Sequence, residues 1–139
     1  MTEEENKILL NHFWERVFNQ RELDLIDKLF TSDWVYHGAA GQELNGPEEL
    51  KEFLTVFFNA FPDIHVTVED MIVEGDKVVT RAVAQGTHKA NLMGIAPTEK
   101  QINCSVICIS RVQDGKITED WEIIDLFGML QQLGVIQVF

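Results

Sequence analysis

The sequence predicts an α+β fold, with helices first and a run of hairpin-linked strands after them. Apolar residues recur at helical spacing as far as Phe61, and from Ile64 onward the period changes to that of strands. Asp114-Gly115, between two β-rich runs, is a strong hairpin signal. Together they predict N-terminal helices packed on one face of a curved, antiparallel or mixed sheet, with room for a cavity between the layers.

Each element has its own justification. Thr2 to Glu5 reads as a capping box, and Ile8, Leu9, Phe13 and Val17 supply the stripe of a first helix, widened by Leu10, Trp14 and Phe18. A shorter helix carries Leu23, Ile26 and Leu29, and SDWVYHG reads as a short extended piece. Pro47 suits the first turn of a third helix, whose apolar face uses Leu50, Phe53, Leu54, Phe57 and Phe61 before Pro62 stops it. IHVTVEDMIVE and KVVTRAVAQGTH are strands joined at Gly75-Asp76, and a loop runs from about Lys89 to Lys100. QINCSVICISRV is a near-continuous apolar strand, and KITEDWEII is the last long strand. A short helix ends near Leu133, with Gly134 as a left-handed stop. The apolar tail VIQVF is predicted to pack on the sheet or on a second subunit.

The 139 residues suit one domain, 1–139, whose 45% apolar content can fill a core. A net charge of -12 repels nucleic acid and anionic membranes, so neither is an expected partner. The acidic start MTEEENK is unlike a signal peptide, and no apolar run is long enough to span a bilayer. Cys104 and Cys108 stand roughly 13 Å apart on a strand, too far for a disulfide. They read as buried free thiols, which fits a cytoplasmic location.

Candidate chemistry gathers in the last strand. Alternation puts Ile117, Glu119, Trp121, Ile123 and Asp125 on one face, and the apolar end of that set points it inward. Asp125 is then the N-cap of the following helix, an acid at the rim of a pocket with a raised pKa that would make it a better base, or both. Glu119 is a possible second acid. His88 shares a face with Ala82, Ala84 and Gly86; it either points into the room they leave or starts a loop bonded to backbone. His37 precedes a glycine-rich turn, while Trp34, Tyr36 and Trp121 are either pocket walls or plain core. No P-loop, GxSxG, HExxH or GxGxxG motif occurs, and no spacing supports a metal site.

The stretches GTHKANLMGIAPTEKQI and GKITEDWEIIDLFGMLQQLG resemble the SnoaL-like polyketide cyclase (ester cyclase) family, within the nuclear-transport-factor-2-like superfamily. The resemblance rests on Gly86, Thr87, His88, Gly94, Pro97 and Thr98, then on Gly115 to Ile117, Glu119, Trp121, Asp125 and Gln132 to Gly134. It implies a cone-like α+β fold with a deep pocket, and small-molecule chemistry without metal or cofactor. It implies a homodimer as well. The family's cyclases use an aspartate as acid/base in an intramolecular aldol closure; Asp125 matches that position, and His88 matches the histidine of the GTH motif. Ala90 and Glu99 stand where the family has glycines, and both lie in the loop beside the expected pocket mouth.

The reading that follows is a cyclase or isomerase acting on a hydrophobic carbonyl compound, with Asp125 as base and His88 orienting it or bonding the enolate oxygen. His37, Trp34, Trp121, Tyr36 and Glu119 are the expected substrate-facing residues. The rival readings are a non-catalytic ligand-binding module and an epoxide hydrolase, the last needing Arg81 or Arg111 within reach of Asp125.

Overall fold

A computed structural model describes residues 2–38 and 41–137. Helix α1 (Glu3–His12) starts at Thr2, whose hydroxyl accepts from the Glu5 N–H at 3.1 Å, as the capping pattern predicts. It continues as a π-helical stretch, Phe13–Asn19, in which Phe13, Trp14, Val17 and Phe18 are all buried. A 3-10 turn (Leu23–Leu25) leads into α2 (Ile26–Leu29) and β1 (Phe30–His37). A three-residue strand, β2 (Glu43–Asn45), precedes α3 (Pro47–Ala60). The remaining elements are β3 (His65–Glu74), β4 (Lys77–Thr87), β5 (Gln101–Gln113), β6 (Lys116–Ile124) and α4 (Leu126–Gln132).

The strands form one sheet in the order β2-β1-β6-β5-β4-β3. Neighbours are antiparallel except β1 and β6, which run parallel, so the sheet is mixed. Asp114 and Gly115 both have positive φ, the geometry that a two-residue hairpin turn demands. The ladder is irregular between Val68 and Asp70 in β3 and between Arg111 and Val112 in β5. Such irregularities bend strands and increase twist, which curls the sheet around its helices.

The core lies on the concave side. From β5 it takes Ile102, Cys104, Val106, Cys108, Ser110 and Val112, and from the helices Leu10, Val17, Leu50 and Leu54. At Gly86 in β4, an added Cβ would stand 3.2 Å from the Ile64 Cα and the Phe61 Cβ. The small residues of that strand therefore admit the 61–64 chain, and the room expected around His88 is filled by it. Arg21 ties the same chain to the N-terminal helices by donating to the carbonyls of Phe18, Pro62 and Ile64.

The loop after β4 is pinned at its base, where the His88 N–H donates to the Lys100 carbonyl and the Glu99 N–H to the His88 carbonyl. Leu92, Met93 and Ile95 part company there: Leu92 is fully buried while Met93 is exposed, so the loop folds back onto the core. Glu99 sits at φ 60, a left-handed position that glycine fills without strain. Its carboxylate accepts from Lys89 at 2.6 Å. Ala90 has no such positive φ and needs no glycine. Of the C-terminal tail, Val138 and Phe139 lie outside the described residues; Val135 is half exposed. Among the described residues no helix is long and apolar enough to cross a membrane.

Leu92 is the loop's anchor, so Leu92→Ala should cost about 2–4 kcal/mol. Urea unfolding would show it as a lower midpoint at an unchanged slope; a loss under about 0.5 kcal/mol would mean that the loop is not held by this side chain.

Candidate functional site

An apolar cavity of about 100 Å³ lies between the concave face of the sheet and the helices. Its walls include Phe13, Trp14 and Phe18 from the N-terminal helices, and Leu50, Phe53, Leu54 and Phe57 from α3. Trp34 and Tyr36, from β1, also line it. The sheet contributes the polar groups: Ser110 and Cys108 from β5, and Asp120 and Glu122 from β6.

The inward acids are not those expected from alternation. In the β5–β6 ladder Val112 pairs with Ile117 but Arg111 pairs with Glu119, so β6 carries one extra residue, Thr118. That bulge leaves Ile117 inward and reverses every later side chain. Asp120, Glu122 and Ile124 face the cavity, whereas Glu119, Trp121, Ile123 and Asp125 do not line it. Trp121 is 36% exposed and Ile123 68% exposed. The apolar end of β6 misled the face assignment because the outer surface is itself apolar there: Ile107 of β5, 48% exposed, pairs with Ile123.

The expected residues divide accordingly. Asp125 is exposed and caps α4, its carboxylate accepting from the Gly128 N–H at 2.9 Å. This is the capping alternative, not the pocket rim. The carboxylate occupies the space over Gly128, where an added Cβ would stand 2.2 Å from Oδ2. His88 is fully buried but absent from the cavity wall; its Nδ1 accepts from the Thr98 N–H at 3.2 Å and faces the Thr98 hydroxyl at 3.0 Å. The proton therefore sits on Nε2, which has no partner among the described residues, and the ring lies 5.4 Å from that of Phe61. His37 stacks on Trp121 at 5.5 Å outside the cavity, and its Nε2 bonds Glu119 at 2.6 Å. Arg111 also donates to Glu119, and the two partners, His37 first, hold that carboxyl below its ordinary pKa. Arg81 pairs with Glu69, so neither arginine is bonded to Asp125 and the epoxide-hydrolase arrangement is not formed. Only Trp34 and Tyr36 of the expected set line the cavity.

The cavity's own polar groups form two linked units. The Tyr36 hydroxyl donates to Glu122 Oε1 at 2.6 Å. Burial, with a smaller contribution from Asp120, pushes the Glu122 carboxyl up to about 7 against the hydrogen bond from Tyr36. Burial and the same carboxylate also push the Tyr36 phenol well above its ordinary range, so it stays a donor. Asp120 is held by the Trp34 indole N–H at 2.8 Å, by the Ser110 hydroxyl and by the Cys108 thiol at 3.5 Å. Its carboxyl is raised by burial despite these donors. Burial raises both thiols as well, which makes Cys104 and Cys108 poor nucleophiles. No cluster of three or more side chains suited to hold a metal ion occurs among the described residues.

A helix-covered, curled mixed sheet around an apolar pocket with a buried acid defines a class of small-molecule proteins. Residues 8–133 match the family described as SnoaL-like polyketide cyclase, and the chain belongs to that family. It is 27% identical over 120 residues to the aklanonic acid methyl ester cyclase DnrD of Streptomyces peucetius, covering 84% of this chain and 83% of that one. The structure of wild-type IdmH from Streptomyces antibioticus matches at a TM-score of 0.83 with 33% identity, covering 93% and 98% of the two chains. A SnoaL-like protein from Jannaschia sp. CCS1 shares the fold at a TM-score of 0.90 with 22% identity, over 97% and 95% of the chains. The family match, DnrD and IdmH support a cyclase-type function in general, and the Jannaschia structure supports the fold.

Glu122 links the site to stability. Its folded carboxyl holds a proton up to about pH 7, against an ordinary value of 4.5. The folded state therefore binds more protons than the unfolded state between these values, and the chain loses stability as pH rises through that window. Glu122→Gln, neutral at all pH, should be close to wild type near about pH 5 and more stable above about pH 7, by on the order of 3 kcal/mol. Urea midpoints of both proteins at the two pH values would show it, and an equal gap at both would mean that Glu122 does not titrate in the cavity.

Proposed function

We propose that this chain performs cofactor-independent acid/base chemistry on a hydrophobic carbonyl compound, an aldol-type ring closure or an isomerisation, with Glu122 as the base. The observation that carries this reading is a carboxylate of pKa about 7 facing an apolar cavity, the poise that a general base needs near neutrality. Tyr36 donates to Oε1, which leaves Oε2 free to take a proton from a carbon flanked by carbonyls. The electron pair left behind delocalises onto the carbonyl oxygens of the substrate itself. In the aldol case the enolate carbon then bonds to a second carbonyl carbon, and the new alkoxide takes the proton back from Glu122. Trp34 and Tyr36 serve as substrate-facing walls, and Trp34 with Ser110 holds Asp120, two residues before the base.

A second copy of this chain is the proposed partner. The outer face of β5 and β6 carries Ile107, Trp121 and Ile123, and Phe127 of α4 is 60% exposed. The charges at its edge, Arg111 and Glu119, are already paired within the chain. An apolar centre with a neutralised rim suits burial against a two-fold-related copy of itself. Sedimentation at micromolar concentration should give the mass of two chains, and Ile123→Lys should give one; wild type sedimenting as one chain would remove the dimer.

The catalytic assignment is tested by following deuterium uptake into 1,3-dicarbonyl compounds by NMR. Glu122→Gln should slow the exchange by about 100-fold or more. Asp125→Asn, which keeps the cap, should leave it unchanged. The wild-type rate should rise with pH and level off above about pH 7. Full activity in Glu122→Gln would end this assignment.

A further inference from the structure

The side-chain donors on the cavity wall are committed, with one exception. The Tyr36 hydroxyl donates to Glu122, the Trp34 indole N–H and the Ser110 hydroxyl donate to Asp120, and so does the Cys108 thiol. The Cys104 thiol donates to the Asp125 carbonyl at 3.4 Å. Trp14, from the π-helical stretch, lines the cavity as well. It is 5% exposed, and its Nε1–H is closed to solvent with no partner among the described residues.

Buried N–H groups are nearly always paired, and an unpaired one is costly. Trp14 separates the cavity from a groove beside β3, whose lining residues Asn11, Glu15 and His65 are exposed. Water would reach an N–H turned to that groove. The acceptors there are also engaged elsewhere: Glu15 accepts from the amides of Asn19 and Gln20, and the Asn19 oxygen accepts from the Val66 N–H. The cavity is the side that remains, and it offers Trp14 no acceptor of its own until a ligand brings one.

The proposed reaction needs such a donor. When Glu122 takes a proton from a carbon flanked by carbonyls, negative charge gathers on a carbonyl oxygen. A fixed N–H aimed at that oxygen stabilises it strongly where water is excluded. Nothing else on the wall is free to do so: Asp120 and Glu122 are acids, and no Lys, Arg or His lines the cavity among the described residues. Trp14 stands on the helical wall and Glu122 on the sheet wall. A substrate between them can turn its acidic carbon to β6 and its oxygen to the helices. An indole N–H only donates, so its role does not change with pH.

We infer that the Trp14 indole N–H faces the cavity and donates to the substrate carbonyl oxygen on which the enolate charge develops, which makes Trp14 a catalytic residue beside Glu122. The inference rests on the proposed aldol or isomerisation chemistry and assigns its oxygen-binding group.

A 15N-labelled chain gives an indole N–H signal for each of Trp14, Trp34 and Trp121, and the signal missing from Trp14→Phe assigns the first. Acetylacetone, a 1,3-dicarbonyl compound, is the probe, and cyclohexane is a filler without an acceptor. Acetylacetone should move the Trp14 signal downfield and further than the other two, and cyclohexane should not. Trp14→Phe keeps an aromatic body and should slow deuterium exchange into saturating acetylacetone by about 100-fold. A Trp14 signal that stays in place while the Trp34 signal reports occupancy would overturn the inference, as would full exchange in a folded Trp14→Phe. The shift is read on the wild-type chain, so it decides the matter even if the variant does not fold. Glu122→Gln separates the two readings, since it should keep the downfield shift and lose the exchange. Exchange lost with the signal unmoved leaves the base and removes the donor; a shifted signal with exchange unaffected by Glu122→Gln does the reverse.

Discussion

One extra residue in β6 decides which acids this protein buries. With Thr118 looped out of the ladder, Ser110 comes opposite Asp120 instead of Glu119, and Cys108 opposite Glu122. Without it, Trp121 and Ile123 would enter the cavity, and the two acids would stand on the outer face. The same bulge moves Glu119 outward, where His37 and Arg111 neutralise it. A local irregularity of the backbone thus sets the charge of the cavity, the composition of the outer face and the partner of a third acid.

Keeping Asp120 and Glu122 under cover requires donors, and β1 supplies them. The indole N–H of Trp34 and the hydroxyl of Tyr36 sit two residues apart on the inward face of β1 and reach Asp120 and Glu122, themselves two residues apart on β6. The parallel pairing places Tyr36 opposite Asp120 and His37 opposite Trp121, so the two strands present donors and acceptors in register. Aromatic side chains suit this task because each buries a large apolar body and keeps one polar tip for bonding. The two acids differ in how far they are satisfied. Asp120 accepts from three side chains, whereas Glu122 keeps Oε2 without a described donor. The less satisfied acid is the one proposed as the base.

Much of the fold was legible because its signals are local. The cap at Thr2, Pro47 at the head of α3, the Asp114-Gly115 hairpin and the positive φ of Gly134 each follow from one or two residues. Strand β2 was not legible, since three residues carry no period. The site was harder, because alternation assumes an unbroken ladder and a bulge leaves no clear mark in one strand's sequence. The hydrophobic cue then failed for a second reason: β5 is apolar on both faces, so Ile107 and Ile109 outside match Val106 and Cys108 inside. Apolar Trp121 and Ile123 belong to that outer surface. What could have pointed inward was the pairing of buried donors with acids, since Trp34 and Tyr36 on β1 need acceptors wherever they are covered.

Asp125 has a structural task of its own at the end of β6. Its carboxylate caps α4 and fills the space above Gly128, so glycine there follows from the cap: any side chain would meet Oδ2. Its backbone N–H donates to the Ser105 carbonyl, and its carbonyl accepts from the Cys104 thiol and the Met129 N–H. The residue therefore joins the end of β6, the middle of β5 and the start of α4. Met129 and Leu133, on the helix it starts, are both buried. A spacing of Trp121 to Asp125 can be held by this junction alone. The acids that face the cavity, Asp120 and Glu122, are set by the register upstream of it.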